Sequence, residues 1–194
     1  MPAPALPLET PRLQLRPFVE EDFEGLFAYR SREDVARFLY WEPETEEQTQ
    51  AALRRRIASR TDGRDADLAL AVVLKETGTL IGDFTLQLVS AEHRTAEIGY
   101  IVHPDRQGHG YATEAGREVL RIAFEDLDLH RVIGRTEARN VASARVLEKL
   151  GMRREAHFVE NEYVKGGWQS ELVYAILARE WQGSHPGTHM EAGR

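Results

Sequence analysis

Residues 103–113, HPDRQGHGYAT, constrain what this chain can fold into more than any other stretch. An apolar, strand-like segment precedes them at 96–102 (AEIGYIV), and a segment of helical periodicity follows at 114–127. Gly108 and Gly110 fall where the strand turns into the helix. The first amides of a helix have no internal partner. Glycine lets another group approach them closely, and the helix dipole attracts negative charge. The stretch is therefore a candidate phosphate cradle. A P-loop is excluded, because no Lys follows Gly110. A dinucleotide loop of the form Gly-x-Gly-x-x-Gly fails at Thr113, and the stretch lies past mid-chain rather than in an opening βαβ unit. The pattern Gln/Arg-x-x-Gly-x-Gly/Ala is complete as Gln107-Gly108-His109-Gly110-Tyr111-Ala112.

The remaining residues read in order as alternating strands and helices. Residues 12–16 (RLQLR) alternate in polarity and predict a strand closed by Pro17. Glu20, Glu21 and Asp22 put acids at a helix start, and Phe23, Leu26, Phe27 and Arg30 follow at helical spacing. Further helices are expected at 34–39 and 45–60, the second with Ala51, Ala52, Leu53 and Ile57 on its apolar side. Residues 61–67 read as a polar loop. Strands at 68–74 and 80–89 form a hairpin about Glu76-Thr77-Gly78, and a third strand runs over 95–102. The helix at 114–127 presents Ala115, Val119, Ile122, Ala123 and Leu127 to a sheet. A short strand is expected at 131–136, then a helix at 140–150 with Asn140 as its cap and Gly151 as its stop. Strands at 152–159 and 171–177 close the fold, separated by Lys165-Gly166-Gly167.

This order predicts one layered α/β (α+β) domain at 8–181, with 1–7 and 182–194 as flexible termini. A length of 194 residues suits one core. The chain has no cysteine, hence no disulfide and no thiolate site. A net charge of −7 argues against broad nucleic-acid binding and suits a cationic substrate. No run is long and apolar enough for a membrane span, and no leader is read, so a cytoplasmic location is expected. The histidines, His185 and His189 in the tail included, show no metal-ligand spacing, and no metal is expected.

Four blocks in sequence order resemble the GNAT N-acetyltransferase superfamily, in particular its ribosomal-protein alanine/serine branch. They are Thr10-Pro11-Arg12-Leu13-Gln14-Leu15-Arg16-Pro17; Ala96 to Val102; the glycine loop, which resembles an acyl-CoA pyrophosphate loop; and Asn140-Val141-Ala142-Ser143 with Leu147-Glu148-Lys149-Leu150-Gly151-Met152. The resemblance implies a mixed, mostly antiparallel twisted sheet of about seven strands. Helices cover both faces, and a V-shaped splay separates the fourth strand from the fifth. It implies acetyl transfer from acetyl-CoA to a primary amine by direct attack in a ternary complex. The acceptor would be a protein N-terminal α-amine. An antibiotic or polyamine amine, a longer acyl-CoA donor and a non-catalytic CoA sensor are the alternatives.

In this resemblance the CoA site comprises Tyr100, Ile101 and Val102 of the strand, Arg106, Gln107, Gly108, His109, Gly110, Tyr111, Ala112 and Thr113 of the loop, and Asn140 and Ser143 of the next helix. Ile101 and Val102 supply backbone for the pantetheine arm, and an amide near Tyr100 and Ile101 faces the thioester oxygen. Arg106 meets a phosphate or only solvent, and Tyr111 packs beneath the loop. Ser143 is the candidate acid for the leaving thiolate. Glu162 and Glu97 are alternative bases, with water alone a third possibility, and Tyr163 is a weaker polar candidate. Trp41 and Tyr40 are candidate walls for the acceptor, beside Glu97 and Glu162. Glu42, Glu44, Glu46 and Glu47 either attract a cation or start a helix. One departure stands out: relatives of this branch carry an Asp where Ser170 stands, and strand alternation is expected to turn Glu171 to the opposite face. The last strands are the expected place of any homodimer contact.

Overall fold

Seven consecutive buried residues, Leu68–Leu74, form a strand (β3) too apolar to face water on either side. The sheet is built outward from such strands. The structure, a computed structural model, describes residues 5–59 and 67–184. The expectations for residues 1–4, 60–66 and 185–194, with His185 and His189, lie outside the described residues. The strands are β1 (Leu8–Glu9), β2 (Leu13–Arg16), β3, β4 (Thr79–Ser90), β5 (Thr95–Val102), β6 (Arg131–Glu137), β7 (Arg153–Val164) and β8 (Gly167–Leu177). They form one sheet in the order β1-β2-β3-β4-β5-β6-β8-β7. Every neighbouring pair is antiparallel except β5 and β6.

Helices cover both faces. On one side α1 (Phe23–Arg30), α2 (Glu33–Ala36) and α3 (Glu46–Ala58) enclose Leu26, Tyr29 and Leu53 with Ala69, Ala71 and Val73 of β3. On the other, α4 (Tyr111–Arg121) and α5 (Val141–Lys149) pack Ala115, Val119, Leu120 and Leu147 against Leu70, Val72, Ile98 and Tyr174. Alternate residues of one strand thus feed two cores. A last helix, α6 (Ala178–Ser184), follows β8 and occupies the start of the segment expected to be a loose terminus; its Trp181 is buried.

Local chemistry sets the helix ends. Thr45 opens α3 with a capping box: its side chain accepts from the Gln48 amide at 3.3 Å, and the Gln48 side chain accepts from the Thr45 amide at 2.8 Å. Asn140 caps α5 by accepting from the Ser143 amide at 3.1 Å. Gly151, at φ +82°, ends it, with the Met152 amide reaching back to the Leu147 carbonyl at 3.1 Å.

Five elements differ most from expectation. α2 stops at Ala36 rather than at residue 39, which frees Phe38, Leu39 and Tyr40 to face a cavity. α4 begins at Tyr111, three residues early, and ends in a π-turn over Ile122–Asp126. The sheet gains the two-residue β1 as an eighth strand. β7 and β8 form a long hairpin about Lys165 and Gly166, both at positive φ, so Glu162 and Tyr163 lie on a strand.

β5 and β6 touch over only three pairs, Thr95 with Arg131, Ala96 with Val132 and Glu97 with Ile133. Beyond Glu97 they diverge, β5 staying with β4 as far as Val102 and β6 with β8 as far as Glu137. This is the expected V-shaped splay.

Candidate active site

The splay opens a hole through the sheet, and a cavity of about 530 Å³ fills it. Side chains alternate along β5, so Tyr100 packs into the core beneath α4 and α5, while Ile101 packs on the α1 and α3 side. Glu97, two alternations from Ile101, shares its face. Where two paired strands would hold these faces apart, the wedge lets both line one space.

On the α4 and α5 side lies the glycine loop. Gly108 and Gly110 have φ of +80° and +81°. A Cβ on Gly108 would meet nothing within 4 Å, so backbone conformation, not room, demands the glycine. The helix ladder of α4 first closes with the Glu114 amide on the Gly110 carbonyl at 3.0 Å. The amides of Tyr111, Ala112 and Thr113 therefore have no partner inside the helix. The loop is held from both sides. The Gln107 side chain donates to the Val102 carbonyl at 3.0 Å. Arg12 donates to the His109 carbonyl at 3.0 Å and to Glu114 at 2.7 Å, and lies over the Tyr111 ring at 4.5 Å. Arg106, Arg145 and Lys149 add positive charge to the lining. Arg145 and Lys149 are one turn apart on α5, a spacing readable in the sequence but not singled out from it.

Deeper in the wedge, the Tyr100 hydroxyl lies 2.9 Å from Ser143 Oγ and donates to the Ser143 carbonyl at 3.0 Å. Burial pushes the Tyr100 hydroxyl up to about 12, partly opposed by the Ser143 hydrogen bond. Two protonated hydroxyls thus sit together at the N-terminus of α5.

The α1 and α3 side is acidic. Arg135 of β6 lies 3.3 Å from Glu97 and 3.8 Å from Glu171. Burial raises the Glu97 carboxyl above its ordinary range, with Arg135 opposing. Burial also raises Glu171; Arg135 opposes this, and repulsion from Glu162 and Glu97 adds to it. Glu162 accepts from the Tyr40 hydroxyl at 2.5 Å. Lys165 donates to the Ala36 carbonyl at 2.8 Å, so the tip of the β7–β8 hairpin is tied to the segment after α2 at two points.

Glu171 faces opposite to Ser170, as strand alternation predicts, and still lines the cavity. Alternation from Ser170 turns it away from that side chain, but onto the face that carries Glu162. Glu162 pairs with Gln169, and Glu171 lies two residues on. Gln169, Ser170 and Glu171 all line the cavity. Ser170 lies opposite a bulge, with residues 159–161 facing it alone and its Oγ accepting from the Glu160 amide at 3.0 Å. On this face, Arg135 and Glu171 are residues that sequence reasoning left out of the site.

The cavity gathers Tyr40, Glu97, Tyr100, Ile101, Val102, Arg106, Gln107, Gly108, Gly110, Tyr111, Ala112, Thr113, Asn140, Ser143 and Glu162. Three expected site residues do not line it. Trp41 lies under the Arg30 guanidinium at 4.3 Å, which also pairs with Glu44. His109 stacks on Tyr111 at 5.6 Å. Tyr163 is exposed and meets Trp168 edge-on at 5.4 Å. Among the described residues, no cluster of three or more acidic or histidine side chains could hold a metal, and no helix is long and apolar enough to cross a membrane.

Comparison with known proteins agrees with this geometry. The family described as Acetyltransferase (GNAT) domain matches residues 12–153. Uncharacterized N-acetyltransferase YnaD of Bacillus subtilis is 33% identical over 174 residues, covering 90% of this chain and 98% of that protein. An acetyltransferase (GNAT family) from Bacillus anthracis superposes with a TM-score of 0.82 at 31% identity, over 90% of this chain and 99% of that one. The fold is also that of spermidine N-acetyltransferase from Vibrio cholerae, solved in complex with CoA and spermine (TM-score 0.75, 23% identity, 89% of this chain and 99% of that one). The family match over residues 12–153, with relatives above 30% identity over nine-tenths of this chain, shows that the chain belongs to the GNAT family of N-acetyltransferases and is an acyltransferase.

Proposed function

We propose that this chain acetylates a primary amine with acetyl-CoA, the two substrates entering from opposite faces of the sheet and meeting in the wedge. The observation that carries this reading is the cavity itself, which joins the glycine loop and a hydroxyl pair on one face to a carboxylate wall on the other. Acetyl-CoA supplies an activated acyl carbon. The amides at the start of α4, with Arg106, Arg145 and Lys149, suit its phosphates, and the edge of β5 at Ile101 and Val102, which β6 has left, suits its amide-bearing arm. Ser143 and Tyr100 stand where a departing sulfur needs a proton. Glu97, Glu162 and Glu171 attract the ammonium form of the acceptor, and Arg135, beside Glu97 and Glu171, offsets part of their charge.

A protein N-terminal α-amine is the acceptor that the sequence blocks suggest. A polyamine is the second reading, favoured by the acidic wall and by the neighbour of like fold crystallised with spermine. A cytoplasmic site of action goes with an acyl-CoA substrate. The test is thiol release from acetyl-CoA with short peptides beginning in Ser, Ala or Thr, with spermidine and with an aminoglycoside. CoA binding is measured on the same sample. Turnover with one class names the acceptor. Binding without turnover on any of them removes the acetyltransferase reading in favour of a sensor or a longer acyl donor.

A dimer through the last strands has a physical basis in β7, the edge of the sheet, where Phe158, Val159 and Tyr163 are exposed, with Trp168 of β8 exposed beside Tyr163. Light scattering at rising concentration is expected to give twice the monomer mass, and Val159→Lys is expected to return it to that of one chain.

A further inference from the structure

Carboxylates on the acceptor side differ in their surroundings: Glu137 of β6, in register with Glu171, also lines the cavity and is paired with Arg139 at 2.8 Å, and three others remain. One oxygen of Glu162 is already held by the Tyr40 hydroxyl. Glu97 is half-buried and pairs with Arg135 at 3.3 Å. Glu171 is buried, only 6% exposed, and its Oε1 has no hydrogen-bond partner among the described residues. Its other oxygen lies 3.8 Å from Arg135, beyond hydrogen-bond reach. An anionic oxygen without a donor in a buried place is costly, and gaining a proton relieves that cost.

We propose that Glu171 is the general base that takes the proton from the acceptor's ammonium, while Glu97 and Glu162 attract and orient it. This assignment rests on the acyl-transfer reading above. The carboxylate accepts one proton from the ammonium and becomes a neutral acid. The freed lone pair forms the C–N bond to the acetyl carbon, and the C–S bond breaks. The second proton that nitrogen gives up ends on sulfur by way of the Ser143 and Tyr100 hydroxyls. Rotation about the terminal carboxyl torsion, which is broad and two-fold, lets either oxygen serve. Arg135 sits between Glu171 and Glu97 and keeps Glu171 ionised often enough to act. Without it, repulsion between the two carboxylates would favour a proton staying on one of them.

The raised Glu171 pKa fits this role, and it has a sign for stability. The folded state keeps the proton to higher pH than the unfolded chain. The folded state is therefore favoured most below the unfolded value, and that advantage is lost as pH rises through the folded one. Glu171→Gln removes the charge and the loss with it, so its melting temperature at neutral pH is expected to equal or exceed that of the wild type.

The test is the pH profile of kcat/KM for the wild type and for Glu171→Gln, Glu97→Gln and Glu162→Gln. The substrate is acetyl-CoA with whichever panel amine is turned over, on samples matched for CoA binding. Glu171→Gln is expected to lose about 10²-fold in rate and to abolish the acidic limb. Glu171→Asp, which keeps the carboxylate, is expected to restore the limb at reduced kcat. The other two variants are expected to raise KM and keep the limb. An acidic limb that survives in Glu171→Gln, with a rate within about threefold of wild type, overturns the assignment while leaving acyl transfer intact. A wild type that binds CoA and acetylates none of the amines overturns both.

Discussion

Ser143→Ala is expected to lower kcat by about 10²-fold and to leave CoA affinity within a few-fold. The serine sits at the start of α5, but the helix is capped by Asn140 through the Ser143 amide, which alanine retains. The substitution therefore removes a hydroxyl without removing the cap. What is lost is one member of a pair: Ser143 Oγ and the Tyr100 hydroxyl lie 2.9 Å apart. Tyr100 also stacks on Phe84 at 5.1 Å, so Tyr100→Phe keeps the packing while removing the second hydroxyl. If the pair delivers a single proton to the departing thiolate, the double variant is no slower than the slower single one, since groups that act as a unit are not additive. Thiol release at saturating acetyl-CoA and amine, compared with CoA binding by calorimetry, separates the two effects. A Ser143→Ala enzyme at wild-type kcat takes the serine out of the chemistry.

Asp83→Ala is expected to cost about 3–5 kcal/mol of folding stability, a fall in melting temperature of roughly 10 °C for a domain of this size. Asp83 is buried in β4, in register with Ile101 of β5. It accepts from the Tyr29 hydroxyl of α1 at 2.6 Å and from Arg56 of α3 at 2.7 Å. One carboxylate thus fastens two helices to the sheet directly behind the strand that bounds the wedge. Burial raises the Tyr29 hydroxyl well above its ordinary range, and Asp83 raises it further. Burial opposes the charge on Arg56, but Asp83, with Tyr29 and Glu44, outweighs burial, so the guanidinium stays ionised. Removing Asp83 strands both donors. Asp83→Asn keeps an acceptor for Tyr29 but leaves the Arg56 charge unpaired, so it is expected to recover only part of the loss. Thermal and urea denaturation measure this, and a change below about 1 kcal/mol would mean that water replaces the aspartate.

The regular parts of the fold were legible because burial leaves a period. β3 is apolar throughout, β2 alternates, and the stripe of α4 holds Ala115, Val119, Ile122 and Ala123, all buried. β7 was misjudged because it is an edge strand with almost every residue exposed, so no face leaves a polarity pattern. β1, at two residues, is too short to carry a period. Of the candidate site, the loop and Ser143 were local and readable. The face of Glu171 was not, because it depends on pairing across a hairpin and on a bulge at residues 159–161. Arg135 is a lone basic residue on a short strand, and nothing in its neighbours marks it. The partnership of Tyr100 with Ser143 spans 43 positions and exists only after α5 packs on β5.

The wedge between β5 and β6 gives the sheet two edges in its interior. Main-chain groups that an ordinary sheet would satisfy within itself are left there for a guest, and a guest that pairs with them completes the native structure. Folding and cosubstrate binding then draw on the same bonds, and native-state stability rises with the logarithm of free acyl-CoA once that exceeds Kd. Fewer copies open and meet a protease when acyl-CoA is plentiful. The lifetime of the protein, as well as its rate, would follow the supply of the compound it consumes.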